Sequence, residues 1–359
     1  MAIVLVLAGL LLLAVGGESL IRGAARLAAA ARIAPVVIGL TVVAFGTSAP
    51  ELAVSIQASL SGKGEVALGN VVGSNILNVL LILGLSALIV PLTVAVRLLW
   101  WDVPLLIAAS VLVLLLGWDG VIGRWEGLLL AGSIVVYTGW AVVHARRESS
   151  AVCHEYEEQF GNVPQGWKTV LAQVAWIAVG LALLALGSRW LVSGAVQIAR
   201  SLGISELIIG LTIVAAGTSL PEVVASVVAG LRGQRDIAVG NVVGSNLFNI
   251  LAVLGCSALV APGGLAVPAD ALAFDIPVMI AAAAACLPIF FTGHLIARWE
   301  GALFLAYYGV YLAHLVLGAT HSASLRTFER VTVWVVIPLT VITLGVGVLR
   351  ALRARETPQ

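Results

Sequence analysis

Two glutamates, Glu51 and Glu222, each close the same short motif inside a long apolar run. Gly39 to Glu51 reads GLTVVAFGTSAPE and Gly210 to Glu222 reads GLTIVAAGTSLPE, identical at 10 of 13 positions with an offset of 171. A second block keeps that offset: Gly69 to Asn78 reads GNVVGSNILN and Gly240 to Asn249 reads GNVVGSNLFN, identical at 8 of 10. On a helix, residues three and four apart share a face. Thr47 and Ser48 therefore fall beside Glu51, Thr218 and Ser219 beside Glu222, Ser74 beside Asn78, and Ser245 beside Asn249. If the four segments converge, they contribute oxygen. Carboxylates, carboxamides, hydroxyls and backbone carbonyls suit a hard cation such as Ca²⁺ or Na⁺, and the lack of His or Cys disfavours zinc or copper. The two carboxylates carry about −2, which matches one Ca²⁺ or two Na⁺, while three Na⁺ would leave about +1. An empty site would hold two buried like charges, so exchange of one cation for another is expected over uniport.

Proline sharpens the reading. Pro50 and Pro221 cannot donate to the carbonyls of Gly46 and Gly217 and crowd them, so both helices should bend or break there. Carbonyls around Ala44 and Ala215 are then expected to be available, which membrane interiors tolerate only where backbone is buried or lines a wet cavity. A plainer role is open to the same residues. Ser48 to Glu51 and Ser219 to Glu222 fit the S/T-x-x-E capping box, in which Ser and Glu only satisfy the first amides of a helix. Against that, an ionisable residue at mid-membrane, present in both copies, is a functional candidate by default.

The elements that must position these groups are membrane helices. The 359 residues are 61% hydrophobic and 10% charged, with a mean hydropathy of +1.10. That excludes an ordinary soluble domain and a disordered chain. A formal net charge of +1 gives no basic surplus for nucleic acid. Apolar runs occur near 3–21, 36–60, 66–90, 98–117, 123–143, 170–192, 207–231, 237–261, 271–292, 298–317 and 331–349, eleven candidate spans. No Lys or Arg precedes the first run, which is therefore read as a span and not a signal. Assigning Lys and Arg to alternate sides gives 13 against 6. The positive-inside rule then places the N-terminus outside and the C-terminus inside. Arg124-Trp125-Glu126-Gly127 recurs as Arg298-Trp299-Glu300-Gly301, so the duplication covers five spans. Two copies with an odd number of crossings must be oppositely oriented. The expected fold is all-α and polytopic, with two inverted five-helix repeats and an eleventh helix. Residues 1–145 form the first repeat, 146–168 a short cytoplasmic loop, 169–318 the second repeat, and 319–359 an extra helix with a basic tail.

Other polar groups are given structural roles. Asn70, Asn75, Asn241 and Asn246 lie off the Ser-to-Asn face and are expected to hydrogen-bond between helices, while Gly69, Gly73, Gly240 and Gly244 allow close packing. Glu18 and Arg22 are spaced for a helical pair. Asp102 and Asp275, beside aromatics near span ends, read as interface anchors. The acidic run Glu155, Glu157 and Glu158 reads as a solvated loop. His144, His154, His294, His314 and His321 show no metal spacing and are placed in solvent or at the interface, and Cys153, Cys256 and Cys286 are too far apart for a thiolate site.

With these motifs in hand, the chain resembles the sodium/calcium exchanger family of the cation/calcium antiporter superfamily, in its short prokaryotic form. The resemblance covers roughly residues 1–317. It implies ten helices in inverted repeats, ions bound between the broken second and seventh helices and the third and eighth, and a first and sixth helix that slide across the rest. It places ion ligands at Ala44, Thr47, Ser48, Glu51, Ser74 and Asn78, and at Ala215, Thr218, Ser219, Glu222, Ser245 and Asn249. Ala44, Thr47, Ala215 and Thr218 would act mainly through backbone oxygens. Asn249, where some relatives carry Asp, argues against potassium co-transport. The resemblance implies an electrogenic Na⁺/Ca²⁺ antiporter of a prokaryotic cytoplasmic membrane, a secondary transporter and not an enzyme, with no cofactor beyond the transported ions and with the bilayer as its solvent. A Ca²⁺/H⁺ exchanger is the nearest alternative, followed by a passive cation channel. No phosphate loop supports an ATP-driven pump.

Overall fold

The computed structural model describes residues 1–31, 33–147, 166–204, 209, 213 and 215–356. The connector 146–168 falls almost wholly outside them, as do Cys153, His154 and the acidic run Glu155, Glu157 and Glu158. In chain order the described elements begin with α1 (Ala2–Ala31), then α2 (Pro35–Thr47), α3 (Ala49–Leu60), α4 (Gly64–Ile89), β1 (Leu92–Thr93), α5 (Leu98–Leu116), β2 (Val121–Ile122) and α6 (Arg124–Arg147). The second half runs α7 (Trp167–Ser201), α8 (Ala215–Gly217), α9 (Leu220–Leu231), α10 (Arg235–Val260), β3 (Leu265–Ala266), α11 (Ala271–Phe291), β4 (Leu295–Ile296) and α12 (Arg298–Ala319), followed by α13 (Leu325–Leu349). Among the described residues nine helices are long and apolar enough to cross a membrane, ten when the bent pair α2 and α3 counts as one span. The span expected over 207–231 is represented by α8 and α9.

The first and sixth spans are longer than their apolar runs. At 30 residues α1 reaches about 45 Å, more than the ~30 Å of hydrocarbon, so its arginine-bearing end projects to the headgroup level. Hydropathy marks only the part of such a helix that lipid must cover. The rest is held by α7. Gly9, Gly16 and Gly23 recur every seven residues in α1, and Gly180, Gly187 and Gly194 do so in α7 with the same offset of 171. A Cβ on Gly16 would lie 2.9 Å from Leu184 N, and one on Gly180 would lie 2.6 Å from Leu20 N. Glycine lets the two antiparallel backbones touch along the whole seam, the packing that drives helix association in lipid.

Glycine also joins the repeats. A Cβ on Gly84 of α4 would meet Gly301 O of α12 at 2.9 Å, and one on Gly127 of α6 would meet Gly255 O of α10 at 2.8 Å. The short strands carry the same cross-over. β1 pairs antiparallel with β4, Leu92 opposite Ile296, and β2 pairs with β3, Val121 opposite Ala266. Each strand therefore pairs with the non-equivalent connection of the other repeat. That exchange places equivalent connections on opposite sides of the membrane, and the repeats are inverted.

At the centre stand α4 and α10, with 72% and 83% of their apolar windows buried, against 0% for α13. Their helices relax to π turns at Asn78–Leu83 and Asn249–Leu254, again 171 residues apart. Gly240 and Gly244 press on α2, where added Cβ atoms would reach Val36 O at 2.6 Å and Leu40 O at 2.5 Å.

One expectation is corrected here. Asp102 is fully buried and is no interface anchor: it accepts from Arg97 Nε at 3.3 Å and Tyr137 at 2.9 Å, bracing α5 against α6. Asp275 accepts from Tyr311 at 3.0 Å. His314 stacks on Phe274 at 3.8 Å and lies 3.6 Å from Glu329 of α13. An aspartate beside aromatics reads alike in sequence whether the partner is water or a second helix.

Gly180→Ala should push α1 from α7 and destabilise the fold by about 1–3 kcal/mol, seen as earlier thermal unfolding in detergent. Gly139→Ala, whose added Cβ meets nothing within 4 Å, should unfold no earlier than wild type.

Candidate functional site

The site is built where the second span of each repeat breaks. Pro50 and Pro221 enter the first turns of α3 and α9, where their missing N–H costs nothing. The chain turns at Ser48 (φ −81°, ψ 4°) and Ser219 (φ −89°, ψ 7°), and α2 and α3 meet at 45°. The expected break is present. The expected free carbonyl at Ala44 is not: Ala44 O accepts Ser48 N–H at 3.0 Å, with the Thr47 hydroxyl at 3.3 Å. Proline removes the donor to Gly46, two residues later, and leaves the Ser48 amide intact. Ala215 lies in the mirror turn α8.

Neither serine caps its helix, since neither Ser48 nor Ser219 makes a side-chain cap bond. The hydroxyls reach across the repeat axis instead. Ser219 Oγ donates to Glu51 Oε1 at 3.0 Å, and Ser48 Oγ donates to Glu222 Oε1 at 3.2 Å. Each carboxylate thus belongs to one repeat and is held by the other. Both glutamates are buried, 0% and 1% exposed. Ser219 also lies 3.3 Å from Ser74 Oγ, and Thr47 lies 3.2 Å from Asn241 Oδ1 and 3.4 Å from Ser245 Oγ. Hydrogen bonds therefore bring together Glu51, Ser219 and Ser74 as one chain, Glu222 and Ser48 as a second, and Thr47 and Ser245 as a third.

Two asparagines fasten the broken helices. Asn70 Nδ2 donates to Ser55 Oγ at 2.9 Å and to Glu51 O at 3.3 Å; Asn241 Nδ2 donates to Ser226 Oγ at 2.9 Å and to Glu222 O at 3.4 Å. Asn75 and Asn246 donate to each other's backbone carbonyls at 3.3 Å. These four asparagines have the interhelical role their spacing implies. Ser55 and Ser226 escaped the motif reading, although they too stand 171 residues apart.

Not every site position is drawn into these bonds. Asn78 donates to Asn246 Oδ1 at 2.9 Å, whereas Asn249, its equivalent, leaves both amide atoms without a protein partner. Glu51 Oε2, Glu222 Oε2 and Asn78 Oδ1 are likewise buried and unpartnered. Thr218 Oγ1 is buried and unpartnered as well. An unmet buried polar atom costs about 1–3 kcal/mol, more when charged. Burial of two carboxylates that repel each other is expensive unless positive charge joins them.

Inverted repeats with broken helices and an acidic, oxygen-rich centre define a multi-pass secondary transporter. Comparison with known proteins gives the family. The sequence profile of the family described as "Sodium/calcium exchanger protein" matches residues 1–143 and 172–317. CaxA of Alkalimonas amylolytica is 42% identical over 80% of this chain and 88% of its own length. The sodium/calcium exchanger MaX1 of Methanosarcina acetivorans is 33% identical over 87% of this chain and 97% of its own. A solved structure of the sodium-calcium exchanger NCX_Mj, soaked with 10 mM Na⁺ and zero Ca²⁺, superposes with a TM-score of 0.74 at 30% identity, covering 87% of this chain and 98% of that one. The chain belongs to the sodium/calcium exchanger family, a family of cation/calcium antiporters.

Ser48→Ala and Ser219→Ala each remove a hydroxyl held by a carboxylate of the other repeat. Each should fold normally yet weaken Ca²⁺-dependent thermal stabilisation by tenfold or more in apparent affinity, since one hydrogen bond to a charged group is worth about 1.5–3 kcal/mol and about 1.4 kcal/mol is tenfold.

Proposed function

We propose that this protein exchanges Na⁺ for Ca²⁺ by alternating access, with the ions bound between the two repeats. The observation that carries the reading is the crossed pairing of Glu51 with Ser219 and Glu222 with Ser48, each glutamate keeping one buried, unpartnered oxygen. Such a pair has the charge for one Ca²⁺ or for two Na⁺, with hydroxyl and amide oxygen to complete a coordination shell. The proposed ligands are Thr47, Ser48, Glu51, Ser74 and Asn78 from the first repeat, and Thr218, Ser219, Glu222, Ser245 and Asn249 from the second. Ala44 and Ala215 would contribute carbonyl oxygen; Ala44 O holds the Ser48 amide, and a cation there would take the place of the Thr47 hydroxyl, which has Asn241 Oδ1 as another acceptor.

Crossing explains coupling. A carboxylate held by the opposite repeat ties ion occupancy to the relation between repeats, so removing the cation leaves like charges facing each other and disfavours movement of the empty carrier. The repeats are assigned to residues 1–145 and 169–318. The arginine-rich side is placed in the cytoplasm and the N-terminus outside, and the similarity to CaxA and MaX1 supports a prokaryotic cytoplasmic membrane.

Purified protein in liposomes should take up ⁴⁵Ca²⁺ when an outward Na⁺ gradient is imposed, and Glu51→Gln or Glu222→Gln should reduce uptake to background while folding normally. Uptake driven by a pH gradient and indifferent to Na⁺ would overturn the proposal in favour of Ca²⁺/H⁺ exchange.

A further inference from the structure

Away from the ion site, a cavity of about 540 Å³ opens between α1, α7 and the end of α9. Its polar wall carries Arg22, Arg26 and Arg232 against a single carboxylate, Glu18. Glu18 bridges two of them, accepting from Arg22 Nε and, at 2.7 Å, from Arg232 Nε. A guanidinium has five N–H donors, and these two side chains remain 64% and 55% exposed. The wall therefore keeps a surplus of two positive charges and most of its donors. The other wall is apolar, made by Ala14, Val15 and Trp176. Gln173 lines the same cavity, is 8% exposed, and holds its amide oxygen buried without a hydrogen-bond partner.

Position decides what such a cavity would hold. Arg22 follows the first apolar run by one residue, and Arg232 directly follows α9. Both stand where hydrocarbon gives way to headgroups, with an indole at the level tryptophan prefers. A soluble anion would use the arginines and leave the apolar wall idle. A phospholipid uses both, and a headgroup hydroxyl supplies the donor that the Gln173 oxygen lacks.

We propose that this cavity binds an anionic phospholipid with a hydroxyl-bearing headgroup, such as phosphatidylglycerol, its phosphate on Arg22, Arg26 and Arg232 and its acyl chain along Val15 and Trp176. The lipid would bridge α1 and α7 to the end of α9, beside the Glu18–Arg232 ion pair that already makes that connection. None of the proposed ion ligands lines the cavity.

Native mass spectrometry of purified protein offered equal phosphatidylglycerol and phosphatidylcholine is the test, with thermal stabilisation by each lipid as a second readout. Wild type should retain phosphatidylglycerol at least tenfold over phosphatidylcholine. Arg26→Gln, which leaves the Glu18 bridges intact, should cut that preference about fivefold, the effect of one arginine at a membrane surface. Gln173→Leu should erase any preference for phosphatidylglycerol over phosphatidic acid. Equal retention of the two lipids by wild type would overturn the proposal. So would equal stabilisation by inorganic phosphate or glycerol 3-phosphate, which would mark a site for soluble anions.

Discussion

Everything in this structure answers to one electrostatic constraint: two carboxylates are buried at the middle of a membrane protein, and neither repeat satisfies its own. Glu51 is held by Ser219 and Glu222 by Ser48. The backbone breaks free those serines to cross, because a residue inside a continuous helix presents its side chain to its own preceding turn. Proline in the first turn of α3 and α9 makes the break cheap, and Asn70 and Asn241 fix the far side of it to neighbouring helices. Among the atoms left unmatched are four oxygens, one each on Glu51, Glu222, Asn78 and Asn249, and in hydrocarbon the economical match for grouped oxygen is a cation.

A second constraint supports the first. Helices in lipid gain no hydrophobic drive toward one another, so close backbone contact must supply the association. Glycine does this at the α1–α7 seam, where three glycines on each helix, spaced seven residues apart, allow backbones to meet, and at the two crossings that join the repeats through Gly84 with Gly301 and Gly127 with Gly255. The seam is smooth along its length, and a smooth seam keeps α1 and α7 as one body. Their attachment to the rest is sparser, with the Glu18–Arg232 ion pair among its few polar ties.

Much of this was legible from the sequence because duplication writes the same instruction twice. One GTS-x-P-E motif in an apolar run admits a mere capping box, whereas two motifs at a fixed offset with five crossings between them require inverted copies and point at their shared centre. The helix breaks, the asparagine braces and the Glu18–Arg22 pair were readable for the same reason: each depends on near neighbours or on a repeat. Partners chosen by tertiary contact were not. Nothing local distinguishes Asp102 paired with Arg97 from an aspartate facing water, and nothing in Ala44 reveals that its carbonyl takes the Ser48 amide. Span lengths failed because α1 and α7 continue past their apolar runs on the strength of each other. The glycine heptads were visible in principle at the same offset of 171, as were Ser55 and Ser226, but single small residues carry no chemistry to draw attention.

The central claim is that opposed repeats jointly hold one cation, and the most direct measurement is the position of that cation. A crystal of the protein soaked in Ca²⁺ should show a single anomalous-scattering peak at about 2.3–2.6 Å from one carboxylate oxygen of Glu51 and one of Glu222, lost when Na⁺ replaces Ca²⁺. A peak bound to one glutamate alone, or none between them at saturating Ca²⁺, would contradict the account.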